Sequence, residues 1–300
     1  MWFIITYLMC FLVLNNYRNQ VLGYEVETND ITDIKSKDLI EDNVVYGPES
    51  TFTTFMPQIN NNSRVNGGQD VTKVVPFQVS LQLYRRGKWQ HFCGGSIITP
   101  NHVVTAAHCV DKTRIEDMSV VAGTLNWSSG GDRHKVAAKK YHPQFSISPI
   151  IINDIAVLKV TPPFNLFKPN IGTVDLGTTS RVGEKVAVRL TGWGSTTPTI
   201  TVGLPEQLQM LFYNTISNSD CTNRGFRVTK SEVCALAIKG QGACVGDSGG
   251  PLVTTQTGVT QLVGIVSYGT ATCAQGRPDV YTRVSSFLPY INRVITNDIP

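Results

Sequence analysis

Phe77-Gln78-Val79-Ser80-Leu81-Gln82-Leu83-Tyr84 sets apolar Phe77, Val79, Leu81 and Leu83 at every second position, with Gln78, Ser80, Gln82 and Tyr84 between them. Successive side chains of an extended chain point to opposite faces, so this period of two predicts a half-buried strand. Similar short runs recur at Ser96 to Ile98, Ser119 to Ala122, Ile155 to Val160, Val186 to Leu190 and Leu262 to Val266, separated by Gly, Pro, Asn and Thr. Such a body is all-β and mostly antiparallel, built as barrels or as a sandwich, and periodicity does not choose between them. Only the tail reads as helix: Ser285 or Ser286 caps it, Pro289 fits its first turn, and Phe287, Ile291, Val294 and Ile295 share a face.

The texture changes upstream of Val65. Residues 24–64 lack hydrophobic periodicity and carry eight acids (Glu25, Glu27, Asp30, Asp33, Asp38, Glu41, Asp42 and Glu49) against three bases, Lys35, Lys37 and Arg64. They read as an exposed linker. The stretch from Met1 to Leu14 is almost wholly apolar, yet its run of about 13 residues is short of the ~20 that cross a bilayer. It reads as a signal peptide ending near Gly23, with an uncleaved signal anchor as the alternative, so the chain is expected to be secreted, extracellular and without a membrane span. Residues 65–300 carry 22 Lys and Arg against 14 Asp and Glu. Their only basic doublets are Arg85-Arg86 and Lys139-Lys140, a scattered solvated surface rather than a nucleic-acid site. With 41% hydrophobic and 16% charged residues, disorder over most of the length is excluded.

Cys10 leaves with the signal, and Cys93, Cys109, Cys221, Cys234, Cys244 and Cys273 remain. An even number in an exported chain, without the short paired spacing of zinc sites, predicts three disulfides with fifteen possible pairings.

Gly246-Asp247-Ser248-Gly249-Gly250-Pro251 sets one hydroxyl among glycines, where a turn lifts it clear and a substrate backbone can approach. A serine nucleophile needs a base within reach and a third group to orient that base. His108 ends the apolar run Val103-Val104-Thr105-Ala106-Ala107-His108-Cys109, and Asp154 opens the strand-like Asn153-Asp154-Ile155-Ala156-Val157-Leu158. His102, His134 and His142, in polar or loop-like surroundings, are expected at the surface.

These three blocks, in this order, resemble the catalytic blocks of the chymotrypsin and trypsin family, with Thr191-Gly192-Trp193-Gly194 and Ser267-Tyr268-Gly269 as further landmarks. The resemblance covers residues 65–300. It implies two antiparallel six-stranded β-barrels with the active site between them, a boundary near residues 170–185, and a C-terminal helix. It implies a serine endopeptidase in which Ser248 attacks, His108 moves the proton, Asp154 orients the imidazole, and the Gly246 and Ser248 amides form the oxyanion hole; this mechanism is the family's own template, carried over residue by residue. It also selects the pairings Cys93–Cys109, Cys221–Cys234 and Cys244–Cys273.

Arg64-Val65-Asn66-Gly67-Gly68 resembles the family's activation site, which makes residues 24–64 an activation propeptide and Asp247 the partner of a new Val65 amino group. His91 resembles the residue that holds that aspartate in the precursor; a satisfied core histidine is the equal alternative. In the specificity pocket Gly242 takes the floor position, Gly269 the entrance and Asp279 the wall, with Ser267 and Tyr268 along the substrate. An uncharged floor with a wall acid is similar to the brachyurins, the broad-specificity collagenolytic members, and implies chymotrypsin-like or mixed preference. The alternative is that Asp279 faces solvent or is neutralised by Arg277. The resemblance implies no cofactor, and Thr124 stands where calcium-binding members carry an acid. Asn61 and Asn126 are glycosylation sequons. Expected partners are protein or peptide substrates, an activating trypsin-like protease or a second copy of the enzyme itself, and protein protease inhibitors, with the enzyme a monomer. The competing class is a catalytically silent homologue acting as a binding or regulatory module.

Overall fold

A computed structural model describes residues 68–177, 182–197 and 203–297. The signal peptide, the propeptide, Arg64, Val65 and Asn61 lie outside the described residues. The strands run β1 Gln69–Asp70, β2 Gln78–Arg85, β3 Lys88–Thr99, β4 His102–Thr105, β5 Met118–Ala122, β6 Asp132–Tyr141 and β7 Ala156–Thr161. They continue as β8 Asp175–Leu176, β9 Ala187–Gly192, β10 Gln209–Ile216, β11 Glu232–Leu236, β12 Pro251–Thr254, β13 Gln261–Tyr268 and β14 Asp279–Arg283. The helices are α1 Ala107–Val110, α2 Asn218–Asn223 and α3 Leu288–Thr296.

Two closed six-stranded antiparallel barrels result, the architecture that the resemblance implied. The first closes in the order β2-β3-β4-β7-β6-β5. The second runs β10-β11-β14-β13-β12-β9 and closes by pairing of β9 with β10. β1 adds to β10, and β8 lies parallel on β13.

Alternation builds the interiors: Val79, Leu81 and Leu83 of β2 are buried inside the first barrel, each such side chain contributing about 1.5–3 kcal/mol. The half-buried expectation for this strand fails on its other face, because Gln78, Ser80 and Gln82 are buried too. Gln78 meets the second barrel, whereas Ser80 and Gln82 are satisfied by residues of the first. Thr191 Oγ1 donates to Gln78 Oε1 at 2.7 Å, and Ser80 Oγ pairs with His91 Nδ1 at 2.8 Å.

The helix α3 crosses back from the second barrel to lay Val294 and Tyr290 against Ala138 and Val157 of the first. Pro289 falls in its first turn as expected, but the cap is Phe287, because Ser285 and Ser286 belong to a preceding 3-10 turn, Val284–Ser286.

Two histidines expected at the surface are buried. His102 bonds Thr99 Oγ1 at 2.8 Å, and His134 bonds the Pro162 carbonyl at 2.6 Å with its ring tilted against Phe164. His142 lies half-buried against Phe287 and Tyr290. Loop-like sequence around each concealed a strand or turn whose polar groups an imidazole satisfies.

The three disulfides are Cys93–Cys109, Cys221–Cys234 and Cys244–Cys273, the pairings that the resemblance selected. Each closes a short loop and constrains the unfolded chain by about 3 kcal/mol. The first lies in the first barrel and the other two in the second.

Candidate active site

The antiparallel register of β4 and β7 sets Thr105 opposite Ala156. The chain leaving β4 through Ala106 therefore arrives beside the chain entering β7. His108 and Asp154 meet there: Nδ1 of His108 lies 2.7 Å from Asp154 Oδ2, and the His108 amide donates to Oδ1 at 2.9 Å. Two groups of the second barrel complete the carboxylate's surroundings. Ser267 Oγ donates to Asp154 Oδ2 at 2.6 Å, and Thr282 Oγ1 to the Asp154 carbonyl at 2.7 Å.

Burial alone raises a carboxylate's pKa, but the His108 charge and hydrogen bond, with the Ser267 hydroxyl and the His108 amide, outweigh it and hold Asp154 below the usual range. Burial depresses the His108 imidazole while Asp154 raises it, and the net direction is up. With 26% of its side chain exposed, His108 remains open to a substrate.

Ser248 sits on the turn before β12. Its neighbour Gly249 donates to the Val266 carbonyl at 2.8 Å, one residue before Ser267, and the Ser248 carbonyl accepts from the Gly94 amide at 2.7 Å. Gly249 has φ +76°, and a Cβ there would come within 2.1 Å of Thr105 Oγ1, so only glycine lets the turn close on the β4 end that delivers His108. A continuous path of contacts thus links the Ser248 turn, β13, Asp154 and His108.

Asp247, beside Ser248, is turned inward and fully buried. Its oxygens accept from the amides of Gly194 at 2.8 Å and Cys244 at 2.9 Å. A Cβ on Gly192 or on Gly194 would come within 2.1 Å of this carboxylate, which explains the glycines flanking Trp193. Burial pushes Asp247 up to about 6, against the pull of those two amides. His91 does not hold Asp247. It bonds Ser80 through Nδ1 and the Gly246 carbonyl through Nε2 at 2.9 Å, its ring edge-on to Trp193, and burial lowers it to about 4. A neutral His91 therefore fixes the peptide that joins Gly246 to Asp247.

Asp279 is buried, with one oxygen accepting from the Ala243 amide at 2.7 Å. A Cβ on Gly242 would lie 3.0 Å from its Oδ2 and one on Gly269 2.9 Å from its Oδ1, so the carboxylate stands between these two glycines. Arg277 turns away, donating to the Arg224 carbonyl and lying over Phe226. Burial pushes Asp279 up to about 7; the Ala243 amide opposes this and the Asp247 charge adds to it. Tyr268 donates its hydroxyl to the Arg227 carbonyl at 3.1 Å.

Sequence reading missed three groups. The Ser267 hydroxyl serves Asp154 in addition to any place along the substrate, Thr282 holds the Asp154 backbone, and Ser80 orients His91. Their signal was slight, because each is an ordinary hydroxyl on an alternating strand.

Cys93, His108 and Cys109 cluster closely enough to suggest a metal, but both sulfurs are committed to a disulfide and offer no thiolate. At Thr124 the hydroxyl lies between the Asn126 and Ser129 carbonyls. Among the described residues, no helix is long and apolar enough to cross a membrane.

A family model described as trypsin matches residues 64–291. The chain is 37% identical to trypsin alpha of Drosophila erecta over 236 residues, 77% of this chain and 86% of the relative. It is 35% identical to trypsin delta and to trypsin gamma of Drosophila melanogaster, each over 245 residues, 79% of this chain and 90% of the relative. A double barrel, a paired histidine and aspartate at its seam, and these likenesses together mean that the chain belongs to the trypsin family of serine endopeptidases, hydrolases that act on protein substrates.

Proposed function

We propose that the chain is a secreted zymogen, cut after Arg64, whose processed form cleaves proteins through Ser248, His108 and Asp154 with mixed primary specificity. The observation that carries the catalytic reading is the 2.7 Å pair between His108 Nδ1 and Asp154 Oδ2, with the Ser248 turn packed on the strand that delivers His108. That pair fixes the tautomer with Nδ1 protonated, so that Nε2, which rests 3.8 Å from Cys109 Sγ, is the nitrogen that takes the Ser248 proton as Oγ attacks the peptide carbonyl. The proton then passes to the leaving amine, and water repeats the sequence on the acyl-enzyme. Gly246 and Ser248 amides meet the developing oxyanion.

Cleavage frees an α-amino group on Val65, ordinarily protonated below about pH 8. Pairing with Asp247 removes the cost of a buried carboxylate and locks the Gly246–Ser248 turn. The raised pKa of Asp247 supports this, since the group gains most from a cation.

In the pocket, Asp279 between Gly242 and Gly269 favours Lys or Arg, while the uncharged floor accepts aromatic and aliphatic side chains. This is the brachyurin-like reading, and glycosylation at exposed Asn126 accompanies a secreted chain. To test it, the full chain and Arg64→Gln are each treated with a trypsin-like protease, labelled with an organophosphonate and profiled on peptide amides ending in Arg, Phe and Leu. Labelling of Ser248 only after cleavage before Val65, with turnover of Arg and of one apolar substrate, is the expected outcome. Full activity of the intact Arg64→Gln chain would refute the activation account, and no Arg turnover would refute the pocket.

A further inference from the structure

The β2–β3 hairpin turns through Arg85, Arg86, Gly87 and Lys88, all exposed. Behind the turn its rings form a platform: Tyr84 and Trp89 lie 5.2 Å apart, and the Arg133 guanidinium sits 4.6 Å above Trp89. Arg133 is held there by Ser119 and by Gln82 Oε1, and exposed Lys135 pairs with Ser119 across the sheet. The acids that precede β5, Glu116 and Asp117, already face Arg114, and Asp132 is held by Lys168 at 2.6 Å. One outer face of the first barrel thus gathers Arg85, Arg86, Lys88, Arg133 and Lys135, with Arg133 over the Trp89 ring, in a body whose bases are otherwise scattered.

We propose that this face docks the chain's own acidic leader, residues 24–64. The inference rests on the proposal that this segment is a propeptide. Charge complementarity selects the occupant: the leader holds eight acids against three bases, and its acids end at Glu49. Arg64 lies fifteen positions after Glu49. That length spans about 50 Å when extended, about the diameter of a domain with a radius of gyration of about 17 Å. The leader contains no cysteine, so after cleavage only this contact would retain it. Attraction between exposed charges weakens as salt shortens the screening length, which makes release salt-controlled.

The test uses the full chain, intact and processed. In the intact chain a zero-length carbodiimide should join leader acids to Lys88 and Lys135, which needs no cleavage and is therefore independent of the activation reading. In the processed chain the leader should co-elute with the body at about 20 mM salt and separate at about 500 mM. Arg86→Glu with Lys88→Glu should abolish retention, while turnover of a chromogenic amide lacking residues beyond the scissile bond stays unchanged. Cross-links confined to other lysines, retention indifferent to salt, or retention unaffected by the charge reversal would each overturn the proposal. So would a face that binds a sulfated polysaccharide but not the leader. A new N-terminus other than Val65 would sink the activation reading while leaving the cross-linking result to stand or fall alone.

Discussion

Asp154 and Asp279 are both buried acids of the same domain, yet their surroundings drive them in opposite directions. Asp154 receives an imidazole, a hydroxyl and an amide, and is held ionised. Asp279 receives one amide, and no ion pair to it occurs among the described residues. Burial therefore pushes it up to about 7. Position in a fold does not set the state of a carboxyl; the donors around it do. One acid is satisfied by three donors of the chain, whereas the other has a single amide.

The contrast breaks most completely at the satisfied acid. Asp154→Asn should keep the fold and the Michaelis constant but lower kcat by about 10⁴, the size of loss that the equivalent change causes in this family's template. Steady-state kinetics with a peptide amide near pH 8 would measure it, and a loss under tenfold would end the orienting role.

At the unsatisfied acid the effect is selective. Asp279→Gly should lower kcat/KM for an Arg substrate by about 10², as loss of a desolvated charge partner does, with little change for Leu or Phe. Equal losses on all three would show that the residue only supports the pocket wall.

A smaller effect follows from protonation. Below pH 7 Asp279 is largely neutral and attracts no cation; above it, the charge appears. The ratio of kcat/KM for Arg over Leu should therefore rise severalfold between about pH 6 and pH 8. Taking the ratio cancels the shared titration of His108, so a flat ratio would contradict the shift. The pH dependence of stability has the opposite sense, because a raised carboxyl favours the folded state in its protonated form. Asp279→Asn should raise the melting temperature at pH 8 relative to the parent, and the gain should shrink as pH falls towards the unfolded value near 4.

The mildest change is expected at His91. His91→Phe removes the donor to the Gly246 carbonyl and should reduce kcat by about threefold to tenfold, in line with a supporting hydrogen bond. An unchanged kcat would leave His91 a purely structural residue.

How much of this was legible in the sequence follows from what sequence encodes locally. Alternation in Phe77 to Tyr84 marked a strand, and GDSGGP, TAAHC and NDIAVL marked the chemistry. What alternation could not tell was that the polar face of β2 is buried as well, because the partners of Gln78, Ser80 and Gln82, namely Thr191, His91, Trp127 and Arg133, come from other parts of the chain. His102 and His134 looked like surface residues because their flanking sequence is loop-like, although Thr99 and Pro162 bond them in buried positions. The pocket was half legible: Asp279 could be named, but whether it faced solvent, Arg277 or Gly242 depended on side-chain direction, which a single sequence does not fix.

The placement of the disulfides bears on the enzyme's lifetime. Because every bridge stays within one barrel, a single cut between Thr161 and Ala187 would leave two fragments that share no covalent bond. They would keep company only while the seam between them holds, and once it opened, dilution would make reassembly bimolecular and slow. Since each barrel supplies one partner of the bond from Ser267 to Asp154, such a nick offers a permanent off-state that needs no inhibitor.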